Sequence, residues 1–323
     1  MTTALACLLH TARGKSRTSA HPPSMALPAS QYWRDTDLAG LQFTTNRFRH
    51  REVRPHRHVG FTLAVADTEL QVRSGTRVTV VPPGALFRIA PHVWHSVQAR
   101  THAWREDALF CSLAVARCIS PAEDTPPLAR LEDDAGVSVF IDASAALEFL
   151  ECHRLLFVPT STGDPEDIAA GRALLRRRLS QWLPAPSPTE DGAHDAERPH
   201  PDSGDERLNR LYALIASGFH QRMTLDSLAD AVGWHPVHVQ RRFTAAWGFT
   251  PHEMLVGHRI EYARDLIAGG AHVTYAAHAA GFTDQSHLHK TFMSTYAVLP
   301  GDYRRLAALD ALQPPSARNG IAG

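Results

Sequence analysis

The chain has 323 residues, 33 Lys/Arg against 33 Asp/Glu, and 44% hydrophobic content. That length points to two domains, and the zero net charge makes non-specific attraction to phosphate modest. No apolar run approaches the ~20 residues of a membrane span, and Cys7, Cys111, Cys118 and Cys152, which show no Cys-x-x-Cys spacing, read as reduced thiols of a cytoplasmic protein rather than a disulfide framework.

Residues 1–30 contain Ser, Pro and Arg and hold no acidic residue, so they read as a disordered extension; Leu8-Leu9 is too short for a secretory apolar region. Translation from Met25 would remove most of this stretch, and both starts stay open. From Leu41 to about Val115 the pattern is one of short strands. Leu41 to Phe48 alternates loosely, Arg77 to Val81 is β-branched and is broken by Pro82-Pro83-Gly84, and Ala108 to Val115 is a buried-type strand. Regular turns without a helical period argue for a small β-barrel or sandwich. Helices follow over about 143–157, capped by Asp142 or Ser144, and 165–183, opened by Asp164-Pro165. The second carries Leu174, Leu175, Leu179, Trp182 and Leu183 on one face, which packs on its own domain or shares in a homodimer seam.

Histidines punctuate the strand region: Pro55-His56-Arg57-His58 precedes one strand and Pro91-His92-Val93-Trp94-His95 another. His-x-His with a distant His resembles the spacing of cupin metal sites, where imidazoles from adjacent strands converge. Metal-binding cupins usually add a Glu a few residues later, but here those positions are Thr62, Leu63 and Ala64. The histidines are therefore expected to be structural or pocket-lining, with no metal and no cofactor. Arg54, His56, His58, Trp94 and His95 are the candidate ligand-binding residues.

Residues 184–204 are a linker, with Pro184, Pro186, Pro188, Pro199 and Pro201, and nothing apolar beyond Ala. Residues 205–306 then read as all-α and 307–323 as a frayed tail. Within 206–306 there are 10 Arg/Lys against 8 Asp/Glu, a net of +2, and nine His between His220 and His289. Two helix-turn-helix patterns stand in tandem there, Thr224 to Phe243 and Val273 to Phe292. Their turn glycines, Gly233 and Gly281, lie 48 residues apart, where a sharp interhelical turn needs positive φ. An amphipathic helix over about 252–268 joins them and presents Leu255, Ile260, Ala263, Leu266 and Ile267 to both halves.

Gly281-Phe-Thr-Asp-Gln-Ser-His-Leu-His-Lys-Thr-Phe292, followed by Pro300-Gly-Asp-Tyr-Arg304, resembles the signature of the AraC/XylS family of transcriptional regulators, over about residues 205–306. The departures are Lys290, where Arg is commoner, and Tyr296-Ala297, where the family carries an aromatic and then Gly; the left-handed turn is expected to persist at Ala297. The resemblance implies an α+β two-domain protein. An N-terminal cupin-like β-barrel with helices, over 31–183, would sense a small-molecule effector and dimerise. The C-terminal all-α domain would carry the two motifs into promoter DNA. It implies double-stranded DNA as partner, RNA polymerase as a further one, a homodimer, and no enzymatic activity.

Thr224 would cap the helix 225–232 near a phosphate. The first recognition helix, about 236–246, would face Val239 and Phe243 inward and Val237, His238, Gln240 and Arg241 outward; Gln suits adenine and Arg guanine. The second, about 284–295, would bury Leu288 and Phe292, project Gln285, Ser286, His289 and Lys290 with Thr283 at its start, and leave His287 at the rim. Two such helices on one frame can enter successive major grooves about 34 Å apart. The rival readings are a cupin-type metal-dependent enzyme with a helical appendage and a protein-binding scaffold; metal analysis separates the first from a regulator.

Overall fold

The computed structural model describes residues 30–33, 40–118, 130–132, 136–156, 164–183 and 203–311. Residues 1–29 and the linker stretch 184–202 lie outside them, as do Cys7, the tail beyond Ala311 and both candidate start positions.

The N-terminal half is built on two antiparallel sheets. The larger runs β1 (Gln31–Trp33), β2 (Leu41–Phe48), β9 (Trp104–Cys111), β4 (Phe61–Ala66), β7 (Leu86–Ile89), β11 (Val137–Phe140), β10 (Arg130–Glu132) in spatial order; the smaller runs β3 (Glu52–His56), β8 (His95–Ala99), β5 (Leu70–Ser74), β6 (Arg77–Val81). Each keeps two edge strands, so no closed barrel ladder forms among the described residues.

Strand β4 shows how the layers are made. All six of its residues are buried, and the pleat sends them alternately to opposite faces. Phe61, Leu63 and Val65 join one apolar cluster with α2 (Ala143–Leu156) and α3 (Pro165–Trp182), while Ala64 and Ala66 join another between the two sheets. Small side chains on that inner face leave room for a hollow. Asp142 and Asp164 cap α2 and α3 as expected. Leu175, Leu179, Trp182 and Leu183 bury the α3 stripe within its own domain.

The expected strand over 108–115 is corrected. β9 ends at Cys111 and Leu113–Cys118 forms a short helix, α1, because the Ser112 hydroxyl accepts from the Val115 N–H and starts a helical turn. Cys111 and Cys152 are buried free thiols, and burial pushes each up to about 12. No helix among the described residues is long and apolar enough to cross a membrane.

The C-terminal half holds α4 (Glu206–Gly218), α5 (Leu225–Val232), α6 (Pro236–Trp247), α7 (Pro251–Ala268), α8 (Val273–Ala279), α9 (Gln285–Tyr296) and α10 (Pro300–Ala311), the last running past the expected limit at 306. α4, α5 and α6 close one core around Phe243 and Phe249; α8 and α9 close a second around Leu288 and Phe292. α7 serves both, Met254 and Leu255 entering the first core and Ile260, Ala263 and Ile267 the second. A Thr250–Glu253 capping box and Pro251 in the first turn start it cleanly.

The two halves are docked. α7 and α9 lie along β3. Gly257 allows the approach, since a Cβ there would stand 2.5 Å from Trp94 Cζ3 and 2.9 Å from the Pro55 carbonyl oxygen. Around it, both Arg57 N–H and Arg57 Nε donate to the Glu261 carboxylate at 3.0 Å, and Trp94 Nε1 donates to Tyr212 Oη at 3.1 Å. Arg73 Nη1 donates to the Gly248 carbonyl, at the end of α6, at 3.1 Å.

Candidate nucleic-acid interface and interdomain pocket

Each helical hairpin turns on a glycine in the left-handed region, Gly233 at φ +66 and Gly281 at φ +80, as their positions predict. Thr224 caps α5: its Oγ1 accepts from Ser227 N–H while the Ser227 hydroxyl accepts from Thr224 N–H. The Thr224 hydroxyl is thus committed to the cap, and any phosphate there would meet the backbone N–H groups of the first turn.

On α6, Val239 and Phe243 are fully buried, whereas Val237, Gln240 and Arg241 are exposed and His238 is half-buried, its ring 4.8 Å from that of Trp234. The neighbouring Arg242 is held by Asp205, Nη2 to Oδ2 at 2.8 Å. On α9, Asp284 caps the helix by accepting from His287 N–H, Leu288 and Phe292 are buried, and Thr283, Gln285, Ser286 and Lys290 are exposed, with His289 half-buried. The Gln285 carbonyl oxygen accepts from Thr274 Oγ1 at 2.7 Å, so its amide N–H groups point elsewhere. His287 sits at the rim, stacked edge-on against Phe282.

The second feature is a hollow of about 400 Å³ between the sheets and the helical half. His56, His58 and His95 line it, as do Asn46, Thr62, Trp104, Glu106 and Phe110 from the strands and Arg264, Thr295, Tyr296 and Tyr303 from the helices. Two expected pocket residues are not among its walls. The Arg54 side chain is exposed, because it alternates outward from the buried Val53 and Pro55, and Trp94 is spent on the docking contact with Tyr212, Gly257 and His258.

The three histidines meet because β3 and β8 pair His56 directly with His95, after a bulge at Val53/His56. His58 follows in the β3–β4 connection, held by its carbonyl accepting from His92 N–H at 2.7 Å; His92 itself adopts φ +60. Burial, with His95 beside it, lowers His56 well below the ordinary range; burial with His56 and His95 does the same to His58; burial takes His95 to about 4. All three are neutral at physiological pH.

Glu106 faces the same hollow. Burial, reinforced by the neighbouring Asp107, pushes its carboxyl up to about 7, against the Asn46 side chain, which donates to Oε2 at 2.9 Å. Asn46 Oδ1 and Thr62 Oγ1 are buried on the wall with no hydrogen-bond partner among the described residues. Arg264 enters from α7. Its Nε and Nη2 donate to Asp265 Oδ1 at 3.0 and 2.9 Å; burial disfavours its charge, but Tyr296, Asp265 and Glu261 around it strengthen it on balance. Arg264, Tyr296 and Glu106 carried no sequence signal, since only docking and strand pairing bring them together.

A family model described as a helix-turn-helix domain matches residues 228–306. YbfI of Bacillus subtilis, named as an uncharacterized HTH-type transcriptional regulator, is 32% identical over 88 residues, covering 27% of this chain and 32% of that protein. The transcriptional activator NphR of a Rhodococcus species is 29% identical over 254 residues, covering 75% of this chain and 68% of that one. Among solved structures, apo ToxT from Vibrio cholerae aligns over 83% of this chain and 98% of its own, at 9% identity and a TM-score of 0.42. The chain spans about a third or less of the length of the first curated relatives it matches. Residues 228–306 thus carry a helix-turn-helix domain, and the relatives matched over it are named as transcriptional regulators.

Proposed function

We propose that the protein is a sequence-specific, DNA-binding transcriptional regulator, an activator like NphR in name, whose N-terminal half senses a small-molecule effector. The observation that carries this reading is the pair of hairpins held on one buried helix, α7, each presenting an exposed polar face on its second helix. In this reading residues 205–306 form the DNA-binding domain. Val237, His238, Gln240 and Arg241 address one major groove, and Thr283, Gln285, Ser286, His289 and Lys290 the next, with the α5 N-terminus at Thr224 on the backbone. Base discrimination falls to Gln240 and Arg241, while Lys290 and His289 contact phosphate or base.

Residues 31–183 are the sensory unit, cupin-like in its paired sheets though open at the edges, and 184–204 the tether. A homodimer, contact with RNA polymerase and a cytoplasmic setting complete the proposal. The hollow, lined by residues of both halves, supports effector binding. The fragment 203–311, shown folded by circular dichroism, should bind promoter DNA from its own locus well above random DNA. Equal affinity for both would sink the reading.

A further inference from the structure

We propose that His56, His58 and His95 form a site for one divalent transition-metal ion of the zinc class, with its fourth coordination position open to the interdomain hollow. Their ring centroids lie 4.3, 4.8 and 5.3 Å apart, and one ligand nitrogen from each falls within 4.8 Å of the others. Nitrogens bound tetrahedrally to zinc at about 2.0–2.1 Å sit roughly 3.4 Å apart, so closure needs shifts of about 1 Å, within reach of side-chain rotation.

The hydrogen bonds around the rings select the atoms that would coordinate. His56 Nδ1 lies 2.9 Å from the Arg54 carbonyl oxygen and His95 Nδ1 2.9 Å from that of Val93. A carbonyl only accepts, so each Nδ1 carries the proton and each Nε2 is left with a lone pair. That carbonyl–imidazole arrangement is the outer shell that orients metal-bound histidines. Two symmetry-like copies of it on paired strands are not needed to pack rings in a core.

Among the described residues no carboxylate joins the cluster. Leu63 and Ala64 are fully buried in apolar clusters, and only Thr62 of that trio lines the hollow. The donor set is therefore three neutral imidazoles, which suits Zn(II), Co(II), Ni(II) or Cu(II) rather than Mg(II) or Ca(II). Arg264 across the hollow opposes a bare dication. Its charge is shared with Asp265, and together metal and guanidinium favour an anionic fourth ligand, a carboxylate or hydroxide.

The full chain, stripped with a chelator and dialysed, is titrated with Zn(II) by calorimetry and with Co(II) by visible absorption. Wild type should take up one equivalent tightly, give the intense d–d bands of four-coordinate cobalt, and melt at a higher temperature when loaded. His58→Gln, in a half-buried connection, should keep its circular dichroism and lose that equivalent; His56→Gln should do the same, and exposed His102→Ala should change nothing. No stoichiometric uptake by wild type overturns the proposal, as does uptake by folded His58→Gln and His56→Gln equal to wild type. With no DNA in the experiment, its failure leaves the reading of the helical domain untouched.

Discussion

Ala297 ends α9 in the left-handed conformation, φ +53 and ψ +21, and is only 5% exposed. Its methyl packs with the cluster between the two sheets, which includes Val53 and Val97, so it belongs energetically to the N-terminal half. Three effects compete in Ala297→Gly. Release of left-handed strain favours glycine by about 1 kcal/mol. The freer unfolded chain costs about 0.4–1 kcal/mol, and loss of the buried methyl about 0.8 kcal/mol. In the fragment 203–311 the sheets are gone and the third effect largely vanishes, so glycine should be neutral to stabilising by a few tenths of a kcal/mol. In the full chain it should destabilise by a few tenths to ~1 kcal/mol. Urea melts followed by circular dichroism on both pairs measure the difference. An identical change in fragment and full chain would show that the methyl gains nothing from docking, and the argument would fail.

Gly257→Ala should likewise change sign between contexts: about 1 kcal/mol stabilising in the fragment, where only helix propensity acts, and about 1–3 kcal/mol destabilising in the full chain, where the Cβ meets Trp94 and the Pro55 carbonyl. The same melts decide it, and stabilisation in both would mean that the halves do not dock this way. Gln240→Ala and Arg241→Ala should each weaken promoter binding by ~1–3 kcal/mol in fluorescence titrations. Gln240→Ala should leave random DNA nearly unaffected, and equal losses on both DNAs would remove Gln240 from base reading. Glu106 ionises near 4.5 when unfolded and about 7 when folded, so its stabilising contribution is full below pH 4.5 and lost as pH rises towards 7. Relative to Glu106→Gln, wild type should lose roughly 1–2 kcal/mol over that window, less than the shift alone gives because the hollow admits water. Parallel stability curves would refute the buried carboxyl.

The helical half was legible because its signals are local. Thr224, Asp284, Gly233 and Gly281 cap or turn their helices where the sequence places them, and Phe243 and Phe292 follow from spacing alone. The sheets were less so. Leu113 to Val115 read as strand because apolar residues in short runs carry no period, and the Ser112 hydroxyl decided for helix. Histidine spacing anticipated that His56, His58 and His95 share a pocket. It did not foresee that Trp94 and Arg54 would be excluded, because one-residue alternation and a bulge set which side chains face inward.

The seam itself was hidden in a stripe that looks like a solvent face. Gly257, Glu261 and Arg264 stand four and three residues apart on α7, the spacing of one helical face, and their types suggest water. Instead Gly257 meets Trp94, Glu261 meets Arg57, and Arg264 reaches the hollow, while the other faces of α7 fill the cores of both hairpins. A helix buried on three sides cannot shift against one hairpin without carrying the other. Anything that binds in the hollow and touches Arg264 therefore contacts the one helix whose side chains enter both hairpin cores. Under the proposed function it would alter DNA binding only so far as its contacts differ between docked and undocked halves.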